Sequence, residues 1–222
     1  MRFAALETSS DWCSVALWLD GEIVSAERRA PNRHSEVVLP MLESLLARRD
    51  LSIPKLDAVA FGSGPGAFTG LRTACGVAQG LALARGLPVA PVSCLEAIAE
   101  EAGAVRVVAC VDARMHEVYY AALEKQGGHW KEVVPGQCVA PAAALPPPGD
   151  GWVGAGSGFS AFPAFLQNKI VSVISEVHPT AHAVAKLAAP RLLAGQGVDA
   201  ALALPTYFRD KVAFTQAELA NR

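Results

Sequence analysis

Residues 2–29, RFAALETSSDWCSVALWLDGEIVSAERR, decide the fold. RFAALE (2–7) reads as a short buried strand and WCSVALWL (12–19) as a second. Asp20-Gly21 is a hairpin turn signal, and EIVSAERR (22–29) makes a third strand, so the chain opens as a meander. Pro31-Asn32 breaks the sheet. His34 to Arg49 is then helical, with Ser35 as the expected N-cap. DAVAF (57–61) is a strand, followed by the loop GSGPGAFTG (62–70) and a helix from Leu71 to Arg85. Pro88 to Val92 is a strand, and Ser93 caps a helix that ends near Gly103.

Three meander strands followed by α, β, α, β, α match the RNase H-like half-domain of the actin/Hsp70/sugar-kinase superfamily. A second unit begins with VRVVACVD (105–112), pairs with EVYYAALE (117–124) and adds a strand near 130–134. PAAALPPPGDG (141–151) is a Pro/Gly-rich surface loop. Short pieces follow, then a helix from about Pro179 to Ala194, with Pro179 as its first residue. The second unit repeats the first in outline and is shorter. The expectation is an α/β, actin-like (ASKHA, RNase H-like) fold of two subdomains, residues 1–103 and a reduced 104–222.

The 222 residues carry a formal charge of -2 from 19 basic and 21 acidic side chains. Hydrophobic residues make up 52% and charged ones 18%, against a usual charged share of ~25%, which excludes a disordered chain. Alanine accounts for 41 positions and glycine for 19, so helices can approach closely. So few charges on a small protein point to some surface covered by a partner. Near-neutral charge argues against tight, unaided nucleic-acid binding, which needs a basic face. No membrane span is expected, because Gly, Ser, Pro, Gln and Asn interrupt the longest charge-free run, residues 151–168. The N-terminus meets Glu7 early and lacks a signal-peptide apolar region, so a cytoplasmic location is expected. Five cysteines form no CxxC and read as reduced, mostly buried thiols.

The helix from His34 has an over-wide apolar surface. At 100° per residue, Val37, Val38, Leu39, Met41, Leu42, Leu45 and Leu46 span roughly 200°, where a helix on one sheet needs ~100° or somewhat more. Either the helix is sandwiched inside this chain or one flank meets another subunit. Pro40 lies deep enough to kink it. Gly76 and Gly80, four apart on the next helix, let another backbone come close.

Few residues suggest chemistry by themselves. The loop of residues 62–70 enters a helix and suits an anion, but no Gly-Lys-Ser/Thr closes it. Gly62, Gly64 and Ala67 fit GxGxxA, yet no acid ends the next strand to hold a ribose. Weak cofactor-binding candidates are Gly64, Gly66 and Thr69. Thr8-Ser9-Ser10-Asp11 forms the turn where actin-like folds place phosphate and metal, or is simple hairpin chemistry. His178 and His182 are spaced i, i+4 without a third ligand. Ser157 lacks the GxSxG flanks, and Cys94 has no local activating residue. Asp112, Arg114 and Glu117 form either a salt-bridge set or a site. No catalytic and no metal residue is assigned.

ALETSSDWCSVALWLDG, HSEVVLPMLESLL, GSGPGAFTGLRTACGVAQGLALARGLPVAPVSCLEAIA, DARMHEVYYA and PTYFRDKVAF occur in the order seen in the TsaB (YeaZ) family, which this sequence resembles from Met1 to about Phe214. The resemblance implies a subunit without its own catalytic site, in the bacterial synthesis of threonylcarbamoyladenosine (t6A) beside the anticodon of tRNAs reading ANN codons. It implies a heterodimer with the catalytic TsaD, joined by the ATPase TsaE, and a homodimer in isolation. tRNA would be met only through the complex. ATP and metal would belong to the partners, with no cofactor bound by this chain alone. The catalytic relative's metal-binding His-x-x-x-His falls on Cys94 and Ile98, which cannot hold a metal together. Many relatives have Asp where this chain has Glu7, and Gly where it has His116. The family's subunit contact uses the first two helices, which makes His34, Val38, Met41, Leu42, Leu45, Leu71, Cys75 and Ala78 interface candidates. The rival readings are a hydrolase, for which no activated nucleophile is visible, and a sugar-kinase-like phosphotransferase, which needs two complete domains around ATP.

Overall fold

The computed structural model describes residues 1–209. Ten strands form two five-stranded sheets that follow the same path. In the first, β1 (Arg2–Glu7), β2 (Trp12–Leu19) and β3 (Glu22–Arg29) are an antiparallel meander. β4 (Ala58–Gly64) and β5 (Val89–Ser93) then add in parallel on the other side of β1. In the second, β6 (Arg106–Asp112), β7 (Val118–Gln126) and β8 (His129–Val139) repeat the meander. β9 (Trp152–Ala155) and β10 (Ile170–Ile174) repeat the parallel addition beside β6. The reduction expected of the second unit therefore lies in its helices and not in its sheet. Where the first half has α1 (His34–Ala47) and α2 (Phe68–Leu83), the second has a 3-10 turn at Pro141–Ala143 and the four-residue α4 (Gly158–Ala161).

α1 and α2 cover one face of the first sheet. Val37, Val38, Leu42, Leu45 and Leu46 from α1, with Ala74, Cys75 and Ala78 from α2, pack on Leu6, Val15, Leu17, Val59 and Phe61. The wide apolar arc of α1 is mostly used inside the chain, because the helix meets both the sheet and α2. Leu39, 38% exposed, and the half-buried Met41 are what remains of it.

The two remaining helices exchange sheets. α3 (Cys94–Ala102) follows β5 but lays Leu95, Ile98 and Ala99 on Val107, Ala109, Ala121 and Leu123 of the second sheet. α5 (Ala181–Leu193) follows β10 but returns to the free face of the first sheet. That face offers Ala5, Ala16, Ala58 and Ala60, and α5 brings Ala181, Ala183, Ala185, Ala188 and Ala189, all buried. Alanine against alanine lets helix and sheet approach closely, which explains much of the composition. The division read at residue 103/104 separates the two sheets, while the chain beyond β10 comes back to the first.

Three helix starts differ from expectation. α1 begins with Arg33 at the cap position and no side-chain cap, and Ser35 lies exposed in its first turn. α2 begins at Phe68, three residues before Leu71. α5 begins at Ala181 and not at Pro179, with Thr180 capping it by accepting from the Ala183 amide. Ser93 caps α3 as expected, and the left-handed Gly103 (φ 67) ends it. Four of the five cysteines are buried and none is bonded.

Charge ties α3 to both halves. Glu100 accepts from Lys125 Nζ on β7 (2.7 Å) and Trp130 Nε1 on β8 (2.8 Å), and pairs with Lys186 Nζ on α5 (2.6 Å). Glu96 pairs with Arg191 of α5 at 2.9 Å. Burial alone pushes the Glu100 carboxyl up, but the donors from Lys125, Lys186 and Trp130 override it and hold the pKa at about 2, against 4.5 for a free glutamate. Such a depressed carboxylate contributes stability that is present above the unfolded pKa and lost as pH falls through the folded one. Glu100→Gln is expected to lower unfolding free energy at pH 7 by about 1–3 kcal/mol. In urea titrations its deficit against the parent chain should shrink between pH 4.5 and 2. An unchanged deficit across that window would disprove the clamp.

Candidate functional site

The C-terminal end of β1 leads into the Thr8-Ser9-Ser10-Asp11 turn, which reads in sequence either as the phosphate and metal turn of actin-like folds or as simple hairpin chemistry. Glu7, the last residue of β1, is fully buried. One carboxylate oxygen accepts the Ser9 amide at 2.5 Å, and the other accepts the Cys94 thiol at 3.3 Å. Cys94 Sγ also accepts the Gly64 amide at 3.2 Å. Burial is the main cause that raises the Glu7 pKa and lifts the Cys94 thiol well above its usual range, with the nearby Glu7 charge adding to the latter. A neutral, enclosed thiol is a poor nucleophile.

Glycine in the loop of residues 62–70 serves contact. A Cβ on Gly62 would stand 1.6 Å from Glu7 Oε2. One on Gly66 would meet the Ser9 Cβ at 2.6 Å, and one on Gly70 the Thr8 carbonyl oxygen at 1.9 Å. The loop is bound to that turn by Ala67 N–H donating to Ser9 O (2.8 Å) and Thr8 Oγ1 donating to Gly70 O (2.7 Å). Two of the three weak cofactor candidates thus have packing roles: Gly66 against Ser9, and Gly64 (φ 123) against the Thr206 carbonyl, 2.5 Å from its would-be Cβ. Thr69 is exposed, and its carbonyl accepts from Thr73 Oγ1.

Residues 204–209 form a strap that the sequence reading did not assign. Thr206 N–H donates to Ser63 O at 2.7 Å. Tyr207 lies tilted against Phe68 and accepts from Arg72 Nε, while Phe208 packs edge-on against Tyr119 and over Gly136. Arg209 pairs with Glu117 and donates to the Arg114 carbonyl. The strap thereby joins the α2 start to the β6–β7 turn. In that turn Arg114, Met115 and His116 are all left-handed, with φ of 61, 56 and 60. A left-handed non-glycine residue costs roughly 1–2 kcal/mol, so the turn is strained at all three positions. Asp112 pairs locally with Arg114, as a salt-bridge set. Residues 210–214 of the motif PTYFRDKVAF lie outside the described residues.

The remaining candidates separate. His178 stacks on Trp12 and faces Glu27, whereas His182 faces Glu101. His178 lies before α5 begins, so the i, i+4 spacing is not helical. Among the described residues, no group of three or more His, Cys, Asp and Glu could hold a metal ion.

Of the interface candidates, His34, Val38, Leu42, Leu45, Leu71, Cys75 and Ala78 are buried in the chain's own core, and only Met41 is partly open. This corrects the choice of residues: 200° of apolar arc on α1 is largely covered by the sheet and α2. The outward surface of the two helices is instead Leu39, Pro40, Met41, Gly76, Val77, Gly80 and Leu83. A Cβ on Gly76 or Gly80 would meet nothing within 4 Å. The helical spacing and the glycine pair signalled this surface; only the fold could say which side of α1 faces out.

A family model described as "TsaD: tRNA N6-adenosine threonylcarbamoyltransferase" matches residues 26–218. The "tRNA threonylcarbamoyladenosine biosynthesis protein TsaB" of Escherichia coli K12 is 35% identical over 224 residues, covering 96% of this chain and 97% of that protein. The Haemophilus influenzae protein of the same name is also 35% identical, covering 96% and 95%. Among solved structures, YeaZ from Pseudomonas aeruginosa superposes with a TM-score of 0.87 at 39% identity, covering 93% of this chain and 99% of that one.

The Gly62–Glu7 contact makes a paired prediction. Gly62→Ala should destabilise the chain by about 2 kcal/mol or more through overpacking. Shortening the acid with Glu7→Asp should recover part of that loss in a double-mutant cycle read by thermal unfolding. Strict additivity of the two changes would show that the contact does not limit position 62.

Proposed function

The chain belongs to the TsaB family of tRNA threonylcarbamoyladenosine biosynthesis proteins, and from that premise we propose that it is a non-catalytic partner subunit in cytoplasmic t6A synthesis. It pairs with TsaD, is joined by TsaE, and meets tRNA through that complex. It transfers nothing itself. ATP and metal stay with the partner subunits.

The packing at the end of β1 carries this reading. Glu7 and Cys94 are fully buried and hydrogen-bonded to each other, and the glycine loop presses directly on Thr8 and Ser9. Burial raises the pKa of both groups and encloses them, so neither side chain is open to a substrate. Cys94 and Ile98 stand where the resembling catalytic family carries its histidines, and both are core residues here.

The outward surface of α1 and α2 supports the partner role. Leu39 of α1 and Leu83 of α2 are exposed, Met41 and Val77 are half-buried, and a Cβ on Gly76 or Gly80 would meet nothing within 4 Å. Closely approaching backbones give a well-packed interface core. In isolation the same surface holds two copies together, and TsaD replaces one of them.

Two outcomes follow. In a reconstituted reaction with TsaD, TsaE and tRNA, omission of the chain should slow t6A formation at least about tenfold, equivalent to about 1.4 kcal/mol in activation free energy. Glu7→Gln and Cys94→Ala chains should restore it. Failure of a folded Cys94→Ala chain to restore product would overturn the non-catalytic reading. Gly76→Ala should raise the chain's own stability by about 0.5–1 kcal/mol, the usual cost of helical glycine. Gly80→Arg should leave the fold intact yet yield a monomer in light scattering and weaken TsaD binding. A Gly80→Arg dimer would place the contact elsewhere.

A further inference from the structure

On the side of α3 and α5 away from the strap, a cleft of about 420 Å³ opens between these helices and the β7–β8 hairpin. It plays no part in the role proposed above. Its volume lies in the range of ligand pockets, ~300–1,000 Å³. We propose that this cleft binds a small molecule bearing one singly charged oxyanion, a carboxylate or a phosphodiester, on a flat or apolar body.

Charge selects that chemistry. Three cations line the cleft, Lys125, Lys186 and Arg191, against two carboxylates, Glu96 and Glu100. His129 also lines it, and Glu132, outside the lining with its carboxylate toward the Gly136 amide at 3.4 Å, lies close enough for its charge to raise the Glu96 pKa. The lining therefore carries one surplus positive charge.

Hydrogen bonding points the same way. Glu100, whose side chain is 6% exposed, has both oxygens occupied by Lys125, Lys186 and Trp130. An ammonium has three donors, and each lysine directs one at Glu100. Arg191 gives one donor to Glu96 and one to the Pro91 carbonyl, of its five. Donors thus outnumber acceptors, and the shared carboxylate brings two ammonium groups from opposite halves of the molecule to one place. An oxyanion supplies the several acceptor lone pairs that this set lacks. Trp130, Leu187 and Pro190 provide apolar wall for the ligand's body.

The test uses the full chain, labelled with ¹⁵N. Benzoate is the carboxylate probe and cyclic AMP the phosphodiester probe; benzamide and adenosine are their uncharged counterparts. The Trp130 indole signal, identified through Trp130→Phe, is expected to move saturably with benzoate or cyclic AMP, at a dissociation constant below about 1 mM. Response to benzoate alone assigns the carboxylate, and response to cyclic AMP alone the phosphodiester; either supports the site. Arg191→Ala should weaken binding at least about tenfold. Lys186→Ala, at a side chain 54% exposed, should do the same without disturbing the fold, and it decides the matter if Arg191→Ala does not fold. No saturable shift, equal shifts with the uncharged probes, or unaltered binding by Lys186→Ala would overturn the proposal.

Discussion

Helices α3 and α5 lie side by side where the two sheets meet, each packed on the sheet it does not follow in sequence. Neither half can therefore complete its core without the other. The first sheet needs α5 to bury its alanine face, and the second needs Leu95 and Ile98 from α3. Glu100 sits on this junction and binds a cation from each side. An exchange of this kind lets a small second half, with one four-residue helix of its own, retain a full five-stranded sheet. The strap of residues 204–209 adds a second tie near the α2 start.

With the halves fixed, the end of β1 becomes a rigid corner. Three glycines bring the loop after β4 to within contact of Glu7, Thr8 and Ser9. The same residues that could form an anion loop in an open fold are here committed to backbone packing. The physical consequence is an enclosed, hydrogen-bonded Glu7–Cys94 pair. The proposed role follows from that: a scaffold of the actin-like type whose working surface is the outside of α1 and α2.

The element order was legible in residues 2–103, because turn and cap signals there are strong: Asp20-Gly21, Pro31-Asn32, Ser93, Gly103. The family resemblance rested on motifs there and on DARMHEVYYA and PTYFRDKVAF further along, and was shown by comparison over nearly the whole chain. What could not be read was which side of α1 faces out. Val38, Leu42 and Leu45 have the same hydrophobicity whether they meet a sheet or a partner, so periodicity gave an arc and no direction. The helix exchange was equally hidden, since local patterning does not say which sheet a helix will cover. Glu100 left no trace in sequence either; its partners lie 25, 30 and 86 positions away. The cost of placing His116 in a left-handed turn became visible only with its φ.

In the proposed role the chain acts through its outward helix face and contributes no reacting group. The rate of t6A formation, measured as the Gly80→Arg chain is titrated into a fixed amount of TsaD and TsaE, tests this. The half-saturation point is expected to shift to higher concentration by about tenfold or more, with the same maximal rate as the parent chain. A maximal rate that stays low at saturation would contradict it.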